Sequence, residues 1–213
     1  MKTDDLVAML ATGVTPVDRR ASARRFGFAL LAGAIGALIL MEMAFGVRPD
    51  IGTVIHSPLF WAKLAFPFVL SIGALGAAAR LSKPGRRPGW MWAVIAAPVA
   101  LVWSFALYIV VTAAPDERLA LVLGETWRVC PFNIAFLSVP AFIANQIAMR
   151  GLAPTAPRLA GAVGGLLSGS VATVAYSVHC PEMGVAFWAV WYVLGMLIPT
   201  ALGALIGPRL LRW

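Results

Sequence analysis

The chain has two cysteines, Cys130 and Cys180, too far apart for a CxxC redox motif or a zinc ribbon. His179 and Glu182 flank the second, and His56 stands in an earlier polar connection. Thiolate, imidazole and carboxylate are the ligand types that hold a soft or borderline divalent metal. Two thiols facing an oxidising compartment can also join as a disulfide. The plainer alternative is that both cysteines are small apolar filler. Their shared position in the topology derived below, with His and Glu beside one of them, favours a redox or metal role. No cofactor is required; a divalent heavy-metal ion or a Cys130–Cys180 disulfide are the two candidates.

Glu42 and Lys63 are the other ionisable residues that could do chemistry, since both fall at the margins of apolar runs. A charge in hydrocarbon is costly unless it is paired or reaches the interface. Antiparallel neighbours would set these two at similar depth, so the sequence predicts a Glu42–Lys63 ion pair. There is no Ser–His–Asp arrangement, no HExxH and no phosphate loop, so the chain is not expected to be an enzyme.

The elements that must position these residues are membrane spans. Hydrophobic residues make up 61% of the 213 residues and charged residues 12%, with a mean hydropathy of +0.86. Ordinary soluble domains carry roughly 25% charged residues, and a span needs roughly 20 apolar residues. Six apolar runs fit, at about 26–45, 58–79, 90–113, 130–149, 159–178 and 185–206. The expected fold is all-α: a polytopic bundle of six transmembrane helices (26–207) between an N-terminal segment (1–25) and a short C-terminal tail (208–213). The net charge of +8 does not point to nucleic acid, because the basic residues gather at the ends of the apolar runs.

Orientation follows from those basic residues. Thirteen of the 17 Lys and Arg fall on the side of both termini, and only Arg48, Lys63, Arg118 and Arg128 fall on the other. By the positive-inside rule both termini are cytoplasmic, and both cysteines lie at the outer face. The cytoplasmic segment opens with a short amphipathic helix over 2–11, with Asp4 and Asp5 in its first turn and Leu6, Val7 and Leu10 on one face. Gly13 and Pro16 end it, and Arg19, Arg20, Arg24 and Arg25 form a basic collar before the membrane.

Within the bundle, Gly161, Gly165 and Gly169 recur at every fourth residue, and Gly203 and Gly207 repeat the spacing. Such spacing lets helix backbones approach closely, either inside the bundle or in a homo-oligomer. Asn145 and Gln146 are expected to hydrogen-bond between helices, and Pro67, Pro98, Pro140 and Pro199 to kink their spans.

The opening MKTDDLVAML, the segment ETWRVCPFNIAFLSVPAF and the segment APTAPRLAGAVGGLLSGSVATVAYSVHCPEMGVAFWAVWYVLG resemble the NrsF-type membrane anti-sigma factors over essentially the whole chain. The most specific parts are Trp127 with Cys130, and Tyr176, His179, Cys180, Glu182, Trp191, Tyr192 and Gly195. The resemblance implies a regulator that holds an extracytoplasmic-function sigma factor through Met1–Asp18 and releases it when Cys130 and Cys180 sense heavy metal or oxidant. Its partners would be that sigma factor at the cytoplasmic face and membrane lipid, with no nucleic acid. Two other readings remain: a membrane thiol oxidoreductase, which would normally need a second cysteine pair, and a small transporter, for which mid-membrane charges and an inverted repeat are lacking.

Overall fold

The computed structural model describes residues 2–12 and 20–212. Gly13, Pro16 and Arg19, to which the sequence assigns a helix break and part of the basic collar, lie outside the described residues. Helix α1 (Thr3–Ala11) forms where expected, and the Asp5 carboxylate accepts the Lys2 backbone N–H at 3.3 Å. Every residue from Lys2 to Thr12 is exposed, including the apolar face of Leu6, Val7 and Leu10.

Among the described residues five helices are long and apolar enough to cross a membrane. They are α2 (Ala21–Ala44), α4 (Pro58–Leu81), α5 (Met91–Thr112), α9 (Pro157–Ser177) and the continuous stretch Val185–Leu210. The last comprises α10 (Val185–Phe187), a π-helical turn (Trp188–Tyr192) and α11 (Val193–Leu210). A sixth crossing is made by α7 (Cys130–Leu137) and α8 (Val139–Arg150), bent by 45° where they meet at Ser138. The bend has a local cause. Pro140 has no N–H to give the Phe136 carbonyl and its ring crowds the preceding turn. Ser138 caps the break, its hydroxyl donating to the Ala135 carbonyl at 2.6 Å. Two short helices, α3 (Ile51–Val54) and α6 (Arg118–Leu123), lie in the connections.

The core is built around α9. Of its most apolar window 72% is buried within the bundle, against 6% for α5, which stands at the periphery. Lipid-facing helices need apolar side chains, whereas a helix enclosed by others needs small ones. Accordingly α9 carries Ser168, Ser170, Thr173 and Ser177, all buried, each hydroxyl donating to a carbonyl one turn back at 2.7–3.0 Å. Its main neighbours are α11 and α4, while α2 packs chiefly on α8.

The glycine stripes meet across the α9–α11 contact. A Cβ on Gly161 would strike the Gly203 carbonyl, and one on Gly165 the Pro199 carbonyl. The close approach is thus made within one chain. Asn145 donates to the Ser168 hydroxyl at 3.0 Å and Gln146 to the Gly161 carbonyl at 3.4 Å, joining α8 to α9.

Candidate functional site: a buried thiol cluster under a clamped loop

The connection from α9 to α10, residues 178–184, carries Cys180. Cys130 is the first residue of α7. The expectation that both thiols look outward is not met: both are fully buried and free. The reason is aromatic packing. Tyr176, Phe187, Trp188 and Tyr192 share one buried cluster with the two cysteines, together with Phe66 and Leu70 from α4. Tyr176 and Tyr192 meet edge to face with centroids 6.1 Å apart, and Phe187 and Tyr192 at 6.4 Å. The Tyr176 hydroxyl adjoins the Cys130 thiol and Asn133. That of Tyr192 is buried beside the Cys180 thiol and Ser177.

The loop is fastened from several sides. Glu182 accepts the backbone N–H groups of Glu125 and Thr126 at 2.7 and 2.9 Å, and the Thr126 hydroxyl at 3.2 Å. This carboxylate stands against Gly124, where φ is +58° and a Cβ would lie 2.7 Å from Oε2. Only glycine therefore suits the turn on both counts. His179 places Nδ1 2.9 Å from the Gly46 carbonyl, with its ring 5.2 Å from that of Phe45. Trp188 donates to the Glu182 carbonyl at 3.3 Å.

Two cations converge on one backbone atom. Lys63 Nζ lies 2.6 Å from the Cys180 carbonyl oxygen, and the Arg48 guanidinium donates to the same oxygen at 3.2 Å. Lys63 is fully buried. The predicted Glu42–Lys63 ion pair is therefore corrected: Glu42 is exposed, and the ammonium turns inward to the loop. Antiparallel adjacency of α2 and α4 was the premise, and α9 stands as the chief neighbour of α4 instead. Arg48 makes a two-pronged contact with Asp50 at 2.6 and 2.7 Å. That hydrogen bonding holds the Asp50 carboxyl below its usual range and pushes the Arg48 guanidinium above its own.

The metal-ligand set expected from the sequence is not assembled. Among the described residues no group of three or more His, Cys, Asp or Glu is placed to hold an ion. Glu182 is committed to the 125–126 amides and His179 to the first connection, and His56 is exposed beyond α3.

The π-helical turn adds a second set of ties. Trp103 on α5 donates to the Ala189 carbonyl at 2.8 Å, and Trp191 donates to the Val122 carbonyl at 2.8 Å. Trp127 and Trp191, both in the motif segments, face each other with centroids 5.3 Å apart. Sequence reasoning flagged Lys63 but gave it the wrong partner, and counted Arg48 only as a loop charge. Thr126 fell inside the ETWRVC segment without being singled out, and Gly124 gave no signal.

Comparison with known proteins places these features in a family. Residues 10–213 match the family described as NrsF, negative regulator of sigma F. The chain is 47% identical over 213 residues to a "probable anti-sigma-F factor NrsF" of Azospira oryzae, covering all of both chains. It is 38% identical over 217 residues to the "anti-sigma-F factor NrsF" of Caulobacter vibrioides, again covering both in full. No solved structure matches it.

Proposed function

The chain belongs to the NrsF family, and from that premise we propose that it is a multi-pass inner-membrane anti-sigma factor. In this reading it sequesters an extracytoplasmic-function sigma factor at the cytoplasmic face and releases it when the Cys130–Cys180 cluster reacts with a heavy metal or oxidant. The observation that carries the first half is similarity over the full length to two anti-sigma-F factors. Helix α1 supplies the docking element: its apolar residues Leu6, Val7 and Leu10 are exposed, as helix-in-groove recognition requires.

The second half is supported by how the thiols are connected. Six crossings put the start of α2 and the end of α11 on one side, and the basic residues near them support reading that side as cytoplasmic. The cysteine loop is then periplasmic, linking α9 to the last span. Because α9 and α11 pack backbone to backbone from Gly169 down to Gly207, a change in the loop alters the register or tilt of a stiff pair. Cytoplasmic ends of that pair would then present the N-terminal segment differently. A useful switch from 1:99 to 99:1 needs the stressor to favour one state by about 5.5 kcal/mol, well within the strength of thiolate–metal bonds.

The test has two arms. Capture of the sigma factor by full-length protein, and its loss on removing residues 1–18, is expected; equal capture by both rejects the docking assignment. Cys130→Ser and Cys180→Ser variants should keep the sigma factor held under metal or oxidant stress; a double variant that still induces normally rejects the sensor assignment.

A further inference from the structure

Helices α2 and α4 both pack on α9 and hardly on each other. Between them lies an open groove of about 470 Å³. Leu30, Ala34 and Leu38, at successive turns of α2, form one wall. Leu64, Phe68 and Ile72 of α4 form the other, and Val171 and Val174 of α9 the floor. Among the described residues the only polar side chain lining it is Ser71. That hydroxyl is already engaged, donating to the Pro67 carbonyl at 2.9 Å and lying 3.0 Å from the Ser170 hydroxyl. The groove therefore suits an apolar occupant. Its other end is different. Leu30 and Leu75 also line a second hollow of about 370 Å³, completed by Ser22 and Gly27 of α2 and by Ala79 and Lys83. The two hollows form one continuous groove, apolar along most of its length and basic at the end nearest the collar. Among the described residues no Asp or Glu lines it, and the Lys83 ammonium makes no ion pair. Arg86 and Arg87 stand exposed in the same connection.

We propose that the α2–α4 groove binds one acyl chain of an anionic phospholipid, with the lipid phosphate at Lys83 and Ser22. The dimensions agree. From Ser22 to Leu38 the groove follows α2 for about 24 Å, at about 1.5 Å per residue. One leaflet with its headgroups, half of a bilayer about 40–45 Å thick, has a similar depth. A second copy or another helix fits less well. At the basic end Phe26 is buried in one cluster with Ala77, Ala78 and Leu81. There α2 and α4 draw together and leave no seat for a helix about 10–12 Å across. The two parts of the lipid do different work. Moving a chain from bulk lipid into the groove gains no hydrophobic energy, because the acyl chains outside are equally apolar. Its contribution is dispersion contact that fills the gap between the two walls. Selectivity comes from the headgroup, since a basic residue at the surface attracts anionic lipid. A filled groove ties α2, which follows directly on the N-terminal segment, to the α4–α9 core.

The experiment uses full-length protein in detergent, given dioleoyl phosphatidylglycerol or phosphatidylcholine with the same chains. Bound lipid is counted by native mass spectrometry, and Tm is followed in parallel. Phosphatidylglycerol should be held about fivefold or more tightly than phosphatidylcholine, and should raise Tm. Lys83→Ala should weaken it about fivefold, the effect of one basic residue. Arg158→Glu, at an exposed cation that does not line the groove, should leave it unchanged. Ala34→Phe fills the apolar part and should displace the lipid although Lys83 remains. A phosphatidylglycerol with a diazirine midway along one chain should label the parent protein at 30–38 of α2 and 64–75 of α4. Should Ala34→Phe fail to fold, this label map decides. Equal retention of the two lipids overturns the proposal, as does an unaffected Lys83→Ala variant. Labelling spread along α5 marks ordinary contact with surrounding lipid and also overturns it. An equal rise in Tm with glycerol phosphate alone marks a free-anion site. Dimers present in the parent and lost in Ala34→Phe mark a second copy as the occupant. Either result rejects the lipid.

Discussion

The Glu182 carboxylate accepts the Thr126 backbone N–H at 2.9 Å, bridging the loop that carries Cys180 to the segment that leads into Cys130. One side chain therefore holds the two cysteine-bearing regions in register from outside the aromatic cluster. Charge-assisted hydrogen bonds of this kind contribute about 1.5–3 kcal/mol each at most, less where solvent competes. Glu182→Ala should lower thermal stability by about 1–2 kcal/mol and raise the rate of Cys180 alkylation. Unchanged alkylation with a lowered Tm would mean that the clamp does not gate access to the thiol.

Burial of both sulfurs makes a direct prediction. In reduced, metal-free protein, Cys130 and Cys180 should resist a bulky maleimide while folded and label fully in denaturant. Rapid labelling of the native protein would show that the aromatic cover over the cluster is open.

The α9–α11 contact has no room for a side chain. Gly161→Val should destabilise the bundle by about 1–3 kcal/mol or more, since Gly203 presents backbone at that point and cannot give way. Thermal unfolding in detergent measures this, and an unaltered Tm would contradict the packing.

Docking through α1 predicts a separation of effects. Leu6→Asp with Leu10→Asp should abolish retention of the sigma factor and raise its transcription at rest. Bundle stability should stay within about 0.5 kcal/mol, because both positions are exposed. Retention by the double variant would place docking elsewhere.

The Arg48–Asp50 pair predicts a pH dependence. Arg48 hydrogen bonding lowers the Asp50 carboxyl below its usual value, so the folded state binds the proton less readily than the unfolded chain. Its contribution to stability is complete above the unfolded value, about 4, and is lost as pH falls through the lower folded value. Asp50→Asn should flatten the Tm-against-pH curve in that acidic window, and an identical curve would count against the pair.

Much of this architecture was legible in the residues. All six spans fall within a few residues of the apolar runs, because length and hydropathy are what lipid demands. The glycine spacing at 161–169 and 203–207 announced a close helix contact, and the bundle makes that contact within one chain. The break at Ser138 was only half visible: Pro140 signalled a kink, but not a 45° division of the span. What could not be read was which helices are neighbours. Glu42 and Lys63 match in depth along the chain, yet α9 is the main partner of α4, and only three-dimensional packing decides where a buried ammonium points. The same holds for the thiols. Sequence placed the two thiols at one end of the bundle, and the fold brings them into one cluster, whereas their burial depends on Tyr176, Phe187, Trp188 and Tyr192 closing over them from separate elements.

The small-residue character of α9 has a consequence for how the protein is made. A segment containing Ser168, Ser170, Thr173 and Ser177 is the least greasy of the long spans, with a mean hydropathy of 1.4 over its best window. Its chief companion, α11, leaves the ribosome only after it. During synthesis the fifth segment must therefore wait, poorly suited to surrounding acyl chains, until the last one arrives to cover its glycine face. Nascent chains halted just past Ser177 are expected to hold that segment loosely and to be cleared by membrane quality control.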